Sequence, residues 1–455
     1  MNIVRVIRNA VAVQACKILI TAGKLMGKKG SSTPGEIALK ISPYMLKDLA
    51  SQVKKQIIVV CGTNGKTTTN NLLCDLLLAQ GNKVVCNRVG ANMLPGIACA
   101  FAASADIGGR LNADYAAIEC DEASLRRVVN HFKPDKIVIT NLFRDQLDRY
   151  GEIDITINLL NEAINKLGDV ELILNADDPL CANFGRGKKA VYYGISENCS
   201  VKVNEIKEGR FCLVCGNELK YNYYHYSQLG DYYCEKCGFK RPNPDYAAKD
   251  IDLDGKMKFN VYYKSKVTEL NLNYRGFYNI YNVLASFSAY IQSGGNADGT
   301  NKVFNSYKPQ IGRMEQFVID GKSVILNLSK NPAGFNQAIA TLIADTRQKD
   351  VMVVLNDNAQ DGRDVSWIWD VDFEKLVNAN IDSLYASGIR KYDMALRLKY
   401  AGMENIEIKE NTTQTINDIA HKNGKVCYVL INYTALFNTQ NSLKELEDKK
   451  GEEVK

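Results

Sequence analysis

Histidine is scarce in this sequence, which contains only His131, His225 and His421 among its 455 residues. None of the three lies in a motif that suggests a general base. The pattern G-x-C-x-G, the tight turn that exposes a cysteine nucleophile beside such a base, is absent as well. These absences argue against a chain that performs Cys-His hydrolysis by itself.

The sequence also lacks an apolar run of the ~18 residues that a membrane-spanning helix needs. Residues 1–26 are mostly apolar, but they include Arg5, Arg8, Lys17 and Lys24. Because Lys17 interrupts the apolar core and no small-residue cleavage site is clear, a signal peptide is not expected. We expect an amphipathic helix that packs on the first domain, and contact of this helix with a membrane surface is the alternative.

The net charge of this sequence is mild, whereas its cysteine content is high. The 57 basic and 51 acidic side chains give a net charge of +6, which does not require a nucleic-acid partner and would tolerate an anionic membrane surface. Most of the 13 cysteines stand singly in apolar segments, as reduced thiols do, and they do not form a disulfide framework. We therefore expect a cytoplasmic protein, either free or at the inner face of the cell membrane.

A glycine-rich loop follows a short apolar strand at residues 57–60 and precedes a segment with helical apolar spacing. In this context Gly62 and Gly65 let backbone N–H groups face an anion, Lys66 can reach the β- and γ-phosphates, and the Thr67 hydroxyl can bind Mg²⁺. The loop is shorter than the general Walker loop, because Val60 stands where that loop has its first glycine. The sequence predicts an ATP and Mg²⁺ site formed by Gly62, Thr63, Asn64, Gly65, Lys66, Thr67 and Thr68.

Strand and helix patterns alternate after the loop, with further strands predicted at residues 83–86, 115–120, 136–141 and 171–175. This alternation predicts a parallel α/β sheet with its ligand chemistry at the carboxyl ends of the strands. Polar side chains stand at those ends, among them Glu119, Glu122 and Asn141. At 455 residues the chain should hold two or three domains. We expect a lead-in over 1–50, a central ATP-binding domain over 51–300 and a C-terminal Rossmann-like α/β domain over 301–455.

Two C-x-x-C pairs, each followed by glycine, interrupt the central domain within residues 205–245. The spacing between the pairs falls within the roughly 15–20 residues typical of four-thiolate zinc sites. A closed site of four thiolates leaves no open position for catalysis, so the sequence predicts a structural zinc ribbon. Its ligands are Cys212, Cys215, Cys234 and Cys237.

An acidic and aromatic loop follows the strand predicted at residues 351–355. It contains Asp357, Asp361 and Asp364, and then Trp367 and Trp369. Tryptophan is rare in surface loops that have no function. We therefore expect this segment to serve a function or to form a partner interface.

Several of these motifs together resemble the Mur ligase superfamily of ATP-dependent peptidoglycan enzymes, to which folylpolyglutamate synthetases are related. They are G-T-N-G-K-T-T-T, G-F-Y-N-I-Y-N-V-L-A, G-R-M-E and L-I-L-N-A-D-D-P. The four-cysteine insertion and N-D-x-x-x-D-G-x-D-V-S-W-I-W-D resemble, more narrowly, the branch that supplies the synthetase subunit of lipid II isoglutaminyl synthase. The resemblance extends from about residue 30 to residue 437.

The resemblance implies that ATP phosphorylates the α-carboxylate of D-glutamate in the lipid II stem peptide and that ammonia then forms D-isoglutamine. It assigns Lys66 and Thr67 to the phosphates and Mg²⁺, Asn282 to the adenine side of the site, and Arg313 to the nucleotide. The metal-binding glutamate of the family matches Glu119 or Glu122, and spacing alone does not choose between them. Gln146 stands where many Mur ligases have a histidine, so a second metal held by histidine is not expected here.

Since the chain lacks a glutaminase site of its own, its ammonia must come from a second protein. The resemblance implies a heterodimer with a glutaminase resembling GatD, whose Cys-His pair is completed by Asp357, Asp361 or Asp364, with Asp364 favoured. An amino-acid-adding Mur or folylpolyglutamate-type ligase is the alternative enzyme. A zinc-ribbon ATPase that binds nucleic acid is the alternative of another class.

Overall fold

The computed structural model describes residues 3–25, 32–88, 90–144, 153–199, 209–253, 257–273, 276–307, 312, 314–420 and 426–453. The chain divides into two compact units. The first contains residues 1–142 and 154–307, and the second contains residues 143–153 and 308–455. In both units parallel strands alternate with helices, as the pattern of the sequence predicts.

The first unit contains helices and strands in regular alternation up to its ribbon insertion. Its helices are α1 (Ile3–Leu25), α2 (Ser32–Ile41), α3 (Met45–Ala50), α4 (Lys66–Ala79), α5 (Leu94–Ser104), α6 (Glu122–Val128), α7 (Ile153–Leu167), α8 (Pro179–Asn183), α9 (Tyr278–Gln292) and α10 (Thr300–Ser306). Its strands are β1 (Gln56–Cys61), β2 (Val84–Cys86), β3 (Tyr115–Glu119), β4 (Lys136–Ile139), β5 (Glu171–Asn175), β6 (Ala190–Ile195), β7 (Lys220–Tyr226), β8 (Leu229–Tyr233), β9 (Tyr246–Asp252), β10 (Met257–Tyr263) and β11 (Lys266–Leu272).

Nine strands form the main sheet of this unit, in the order β11-β10-β9-β6-β5-β4-β1-β3-β2. The strands from β9 to β2 in this order run parallel, whereas β10 and β11 add an antiparallel edge that the sequence pattern did not predict. The central strands are apolar on both faces because helices cover both faces of a parallel sheet. In β1, for example, Ile58, Val59 and Val60 are fully buried.

The strand order determines where the polar residues meet. Since β1 lies between β3 and β4, its carboxyl end is flanked by Glu119 on one side and by Thr140 and Asn141 on the other. Ligands of open α/β sheets bind at this edge. The loop between β1 and α4 therefore lies among polar side chains from both neighbouring strands.

The N-terminal helices pack on the first unit, where α1 contacts α2, α3 and α5. Taken by itself, the Gly, Ser, Thr and Pro content of residues 30–35 predicts a loop. The structure shows this to be wrong for residues 32–35, because α2 begins at Ser32; residues 30 and 31 lie outside the described residues. Gly35 permits the close approach of α2 to α5, because a β-carbon there would lie 1.8 Å from the carbonyl oxygen of Pro95. Among the described helices, none combines the length and the apolar character needed to cross a bilayer.

The insertion between β6 and β9 contains a small two-stranded sheet, the antiparallel hairpin of β7 and β8. Each C-x-x-C pair forms a tight turn beside one end of this hairpin, closed by the isolated bridges Phe211–Glu218 and Tyr233–Lys240. We call the described part of this insertion, residues 209–241, the ribbon.

The second unit forms a six-stranded sheet in the order β12-β13-β17-β14-β15-β16, in which only β12 is antiparallel to its neighbour. Its strands are β12 (Glu315–Ile319), β13 (Lys322–Leu328), β14 (Lys349–Val354), β15 (Ile381–Ser387), β16 (Ile406–Ile408) and β17 (Val426–Ile431). Its helices are α11 (Pro332–Ala344), α12 (Lys391–Tyr400), α13 (Thr412–Ala420) and α14 (Tyr433–Glu453), and two 3₁₀ helices span Ser366–Asp370 and Phe373–Asn378.

Side chains alternate along β14 between two hydrophobic cores of the second unit. Val351 and Val353 pack with α11, α12 and the 3₁₀ helices, whereas Met352 and Val354 pack with α13 and α14. Because successive strand residues point to opposite faces, helices cover both sides of this sheet. The segment after β14 consequently emerges at the carboxyl edge, between the two helical layers.

Candidate active site

The loop between β1 and α4 has the backbone of an anion-binding turn. Gly62 and Gly65 have φ angles of +117° and +82°, which favour glycine. Both also lack room for a side chain, because a β-carbon at Gly62 would lie 2.2 Å from Thr140 Oγ1 and one at Gly65 would lie 2.0 Å from Asn282 Oδ1. With α4 beginning at Lys66, the N–H groups of its first turn and the positive end of its dipole point toward the loop.

Two residues after β4 hold the loop from one side. Asn141 Oδ1 accepts a hydrogen bond from the Asn64 N–H at 2.8 Å, and Asn141 Nδ2 donates to the Asn64 carbonyl at 3.0 Å. The Thr140 hydroxyl donates to the same carbonyl at 2.8 Å. The conformation of the loop is therefore set by the neighbouring strand as well as by its glycines.

Lys66 is almost fully buried beneath the loop. Its Nζ donates to the Gly62 carbonyl at 2.5 Å and lies 3.0 Å from Glu122 Oε1. Burial raises the pKa of the Glu122 carboxyl, although the Lys66 ammonium opposes that rise. Glu122 therefore forms an ion pair with Lys66, a contact that the sequence did not predict.

Glu119 has a different environment. Its Oε1 accepts a hydrogen bond from Asn92 Nδ2 at 3.0 Å, whereas its buried Oε2 accepts none within the described residues. A β-carbon built at Gly90 would lie 3.7 Å from Thr67 Oγ1 and 3.9 Å from Glu119 Oε2, so these two oxygens face one small space. A carboxylate and a hydroxyl are the oxygen donors that Mg²⁺ takes from proteins beside nucleotide phosphates, and the residues present fit that ion.

Three further residues that the sequence assigns to the nucleotide site are Thr68, Asn282 and Arg313. Thr68 is half-buried in the first turn of α4. Asn282 on α9 points its side chain at the phosphate loop, where its Nδ2 also donates to Asn279 Oδ1 at 3.0 Å. Arg313 and Gln146 lie outside the described residues.

The four cysteines of the ribbon come together as the sequence predicts. Their sulfur atoms all lie within 4.8 Å of one another, with 3.5 Å between Cys212 and Cys237 and 3.5 Å between Cys215 and Cys234. Four thiolates around one zinc ion at Zn–S distances of about 2.3 Å would have similar separations. Hydrogen bonds to the sulfur of Cys234 from the backbone N–H groups of Cys237 and Lys236 lower its pKa to about 7, which favours the thiolate that zinc requires.

The three aspartates after β14 have separate roles in the structure of the second unit. Asp361 is buried, and both its oxygens accept hydrogen bonds from Thr434 at the start of α14. Asp357 forms an ion pair with Arg390 at 3.2 Å. Asp364 is half-buried, and its Oδ1 accepts from the N–H of Ser366 at 2.8 Å.

The two tryptophans of this loop also differ. Trp367 is buried and packs against Phe335, so this tryptophan belongs to the hydrophobic core of the second unit. Trp369 is 48% exposed, and its ring lies 5.6 Å from that of Tyr400, which is 72% exposed. An exposed aromatic pair therefore lies in the same unit as Asp364, a few residues after it.

A buried polar cluster at the carboxyl ends of β5 and β6 was not recognised in the sequence as a unit. Asp177 Oδ1 accepts from Arg241 Nε at 2.7 Å, and Asp177 Oδ2 accepts from the Tyr281 hydroxyl at 2.7 Å. His225 Nδ1 lies 2.7 Å from the same hydroxyl. Burial alone would raise the pKa of Asp177, but Arg241 and His225 hold it below its usual range. The sequence signal was the strand-end pair Asp177-Asp178, whose partners come from distant segments.

Comparisons with known proteins agree with this geometry. Solved structures with the same fold include a pseudomurein peptide ligase type C from Methanothermus fervidus, with a TM-score of 0.69, 24% identity and coverage of 88% of this chain and 80% of that one. MurF from Acinetobacter baumannii has a TM-score of 0.65 and 16% identity, with coverage of 90% and 80%. The Mur ligase middle domain family matches residues 60–234. The fold is therefore that of the Mur ligases.

The MurT ligase C-terminal family matches residues 328–436, which include the loop with the three aspartates. The lipid II isoglutaminyl synthase subunit MurT of Staphylococcus aureus is 38% identical over 399 residues, which are 87% of this chain and 89% of that protein. The MurT subunit of Streptococcus pneumoniae is 35% identical over 421 residues, with coverage of 91% and 92%. This chain belongs to the MurT family.

Gly65→Ala tests the contact between the loop and α9. We expect this variant to fold but to bind MgATP at least tenfold more weakly than the wild type, because the added methyl group displaces Asn282. Gly81→Ala is the matched control, since Gly81 has nearly the same φ of +81° but no atom within 4 Å of its would-be β-carbon. Titration calorimetry with MgATP compares the two. Equal affinity of both variants for MgATP would show that the contact is unimportant.

Proposed function

We propose that this chain is the synthetase subunit of a lipid II isoglutaminyl synthase. It uses ATP to convert the α-carboxylate of D-glutamate in the lipid II stem peptide to the amide of D-isoglutamine. Support comes from the MurT relatives named for this activity and from a site that fits MgATP. The single observation that carries the proposal is the buried Glu119 Oε2, which accepts no hydrogen bond from the described residues and faces Thr67 beside the phosphate loop.

The reaction has two steps. In the first, a carboxylate oxygen attacks the γ-phosphorus of ATP, which breaks the bond to ADP and forms an acyl phosphate. In the second, ammonia attacks the acyl carbon, forms the C–N bond and loses a proton, and inorganic phosphate leaves. The backbone N–H groups of the loop and the Lys66 ammonium stabilise negative charge on the phosphates during the first step.

Glu119 is the proposed Mg²⁺ ligand, together with Thr67. These two side chains would hold the ion, whose positive charge would offset that of the phosphates. Glu122 is proposed to orient Lys66 instead, since it is 3.0 Å from the ammonium. Gly62, Thr63, Asn64, Gly65 and Thr68 are proposed to line the phosphates, and Asn282 and Arg313 to complete the nucleotide site. At Cys212, Cys215, Cys234 and Cys237 we propose a structural Zn²⁺ ion.

Glu119→Gln tests the assignment of the metal ligand. We expect it to need at least tenfold more Mg²⁺ than the wild type for ammonium-dependent amidation of lipid II, because an amide is a poor replacement for a carboxylate ligand. Glu122→Gln is expected to lower the rate but to keep the Mg²⁺ dependence of the wild type, since it contacts Lys66 and not Thr67.

The measurement is the Mg²⁺ titration of phosphate release and of product mass with ammonium chloride as the nitrogen source. A product in which a hydroxyl group is replaced by an amino group supports amidation. Addition of a whole amino acid would instead make the chain an amino-acid-adding ligase. The reverse pattern of the two variants would move the metal to Glu122.

The ammonia is proposed to come from a glutaminase subunit resembling GatD, bound to the second unit. Asp364 is the proposed residue that completes the Cys-His pair of that partner. In support, Asp361 and Asp357 are occupied by Thr434 and Arg390, whereas Asp364 Oδ2 accepts no hydrogen bond within the described residues. Exposed Trp369 offers the kind of aromatic anchor that interfaces favour.

Asp364→Asn should abolish glutamine-dependent amidation by the two-subunit complex while leaving ammonium-dependent amidation intact. The physical reason is that an amide cannot stabilise the charged histidine of the partner as a carboxylate does. Asp382→Asn is the control, because Asp382 is an exposed aspartate at the opposite, amino-terminal end of β15. If Asp364→Asn lost both activities equally, or kept both, another residue would complete the partner's site.

The proposed location is the inner face of the cell membrane, where lipid II would be reached through α1. One side of α1 packs on α2 and α5 through Ala12, Val13 and Cys16. The opposite side exposes a row of four apolar residues, and the helix contains basic but no acidic residues. The row consists of Ile7, Val11, Ile18 and Leu25. An apolar row with flanking cations is typical of helices that lie on anionic bilayers.

The double variant with Ile7→Glu and Ile18→Glu tests this contact. We expect the wild type to sediment with vesicles that contain phosphatidylglycerol and the variant to remain in the supernatant, because each buried isoleucine contributes roughly 1.5–3 kcal/mol. Ile155→Glu is the control, since Ile155 is a 51% exposed isoleucine on α7. A wild type that does not sediment with the vesicles would refute the membrane contact but not the reaction.

A further inference from the structure

The hairpin of the ribbon ends in a turn that is buried, although hairpin turns normally lie on the surface. His225, Gln228 and Leu229 are fully buried, and Ser227 has a φ of +48° in the turn itself. Burying a histidine and a glutamine is costly unless their polar atoms find partners. Each residue has a partner outside the ribbon that adjoins a residue in contact with the phosphate loop: Leu142 for Gln228 and Tyr281 for His225.

Gln228 contacts the segment after β4, which supports the loop. Its Nε2 donates to the Leu142 carbonyl at 2.6 Å, and the Gly230 N–H donates to the Asp177 carbonyl at 2.9 Å. Leu142 follows Asn141 directly, and the Asn141 side chain makes both hydrogen bonds to Asn64 of the phosphate loop. The turn of the hairpin is therefore one residue away from one support of the loop.

His225 contacts α9, the helix that contains Asn282, which is the second support of the loop. Its Nδ1 lies 2.7 Å from the Tyr281 hydroxyl, and its Nε2 lies 2.9 Å from the Glu197 carbonyl. Tyr281 in turn donates to Asp177 at 2.7 Å. Tyr281 precedes Asn282 on α9, the residue whose side chain occupies the space beside Gly65.

The base of the hairpin is attached to the same cluster. Arg241 follows the second cysteine pair, and its Nε donates to Asp177 Oδ1 at 2.7 Å, while its Nη2 donates to the Ile195 carbonyl at 2.9 Å. A ribbon of this size has little apolar core of its own, and the four cysteines with their metal would fix its shape. The position of the turn thus depends on the folded ribbon.

We propose that the ribbon is a positioning element for the nucleotide site. Through Gln228 and His225 it holds Leu142 and Tyr281, and thereby keeps Asn141 and Asn282 in contact with the phosphate loop. The zinc ribbon, which performs no chemistry, then sets the affinity for ATP. This inference rests on the proposed function, because it requires that the loop bind a nucleotide.

Two substitutions break the two connections without removing a metal ligand. Gln228→Leu removes the donor to the Leu142 carbonyl, and Tyr281→Phe removes only the hydroxyl between His225 and Asp177. Each has a matched control that loses an exposed hydrogen bond of the same kind. Asn222→Leu lies in the same hairpin, where Asn222 bonds Asp231, and Tyr262→Phe lies on β10, where Tyr262 bonds Asp250.

The experiment measures Kd for MgATP by calorimetry on the full-length chain, together with zinc per chain, the melting temperature, and KM for ATP against kcat. We expect Gln228→Leu and Tyr281→Phe to raise Kd and KM about fivefold or more with unchanged zinc, because each leaves a buried polar partner unsatisfied beside a support of the loop. At saturating ATP, kcat should fall less than kcat/KM. Both control variants should bind MgATP as the wild type does.

If both test variants keep their zinc and bind MgATP with wild-type Kd, the positioning role is refuted while the proposed function stands. A wild type that does not bind MgATP refutes the proposed function and this inference with it. Should Gln228→Leu fail to fold, Tyr281→Phe decides the question, because it removes one oxygen atom and keeps the ring in place.

Discussion

The approach of Asn282 to Gly65 is the constraint on which the nucleotide site depends. A β-carbon at position 65 would lie 2.0 Å from Asn282 Oδ1, so the loop and α9 can meet only through a glycine. On the other side Asn141 and Thr140 hold the Asn64 peptide. A loop that presents N–H groups to a phosphate must keep them ordered before the ligand arrives, and two asparagines from distant segments provide that order.

The strand order of the main sheet also helps to build the nucleotide site. Because β1 lies between β3 and β4, Glu119 and Asn141 come from opposite neighbours of the loop. Glu119 and Glu122, which the sequence could not distinguish, have different surroundings. Glu122 is 3.0 Å from Lys66, whereas Glu119 Oε2 faces Thr67. This difference matters because a carboxylate shielded from water needs hydrogen bonds, a nearby positive charge or protonation to offset the cost of burial.

The ribbon and the second unit illustrate how insertions and loops acquire their roles from polar partners. In the ribbon, the buried turn is held by hydrogen bonds to Leu142, Tyr281 and Asp177. The rings of His225 and Tyr226 also pack against Phe277. In the second unit, three aspartates on one loop divide into a buried helix cap, an ion pair and one half-buried carboxylate. The three aspartates show that one residue type takes different structural roles according to the partners within hydrogen-bonding distance.

The sequence by itself determined the alternating α/β pattern, the phosphate loop, the four-cysteine cluster and the family, because these depend on local spacing and turn chemistry. It did not determine the helical start of α2 at Ser32, the antiparallel edge of β10 and β11, or the burial of Trp367. Nor did it separate Glu119 from Glu122 or join Asp177 to His225, Arg241 and Tyr281. Only the tertiary structure decided these points. Most of them depend on contacts between segments far apart in the chain, whose partners no local pattern specifies, whereas the pairing of β10 with β11 is a hairpin of adjacent strands.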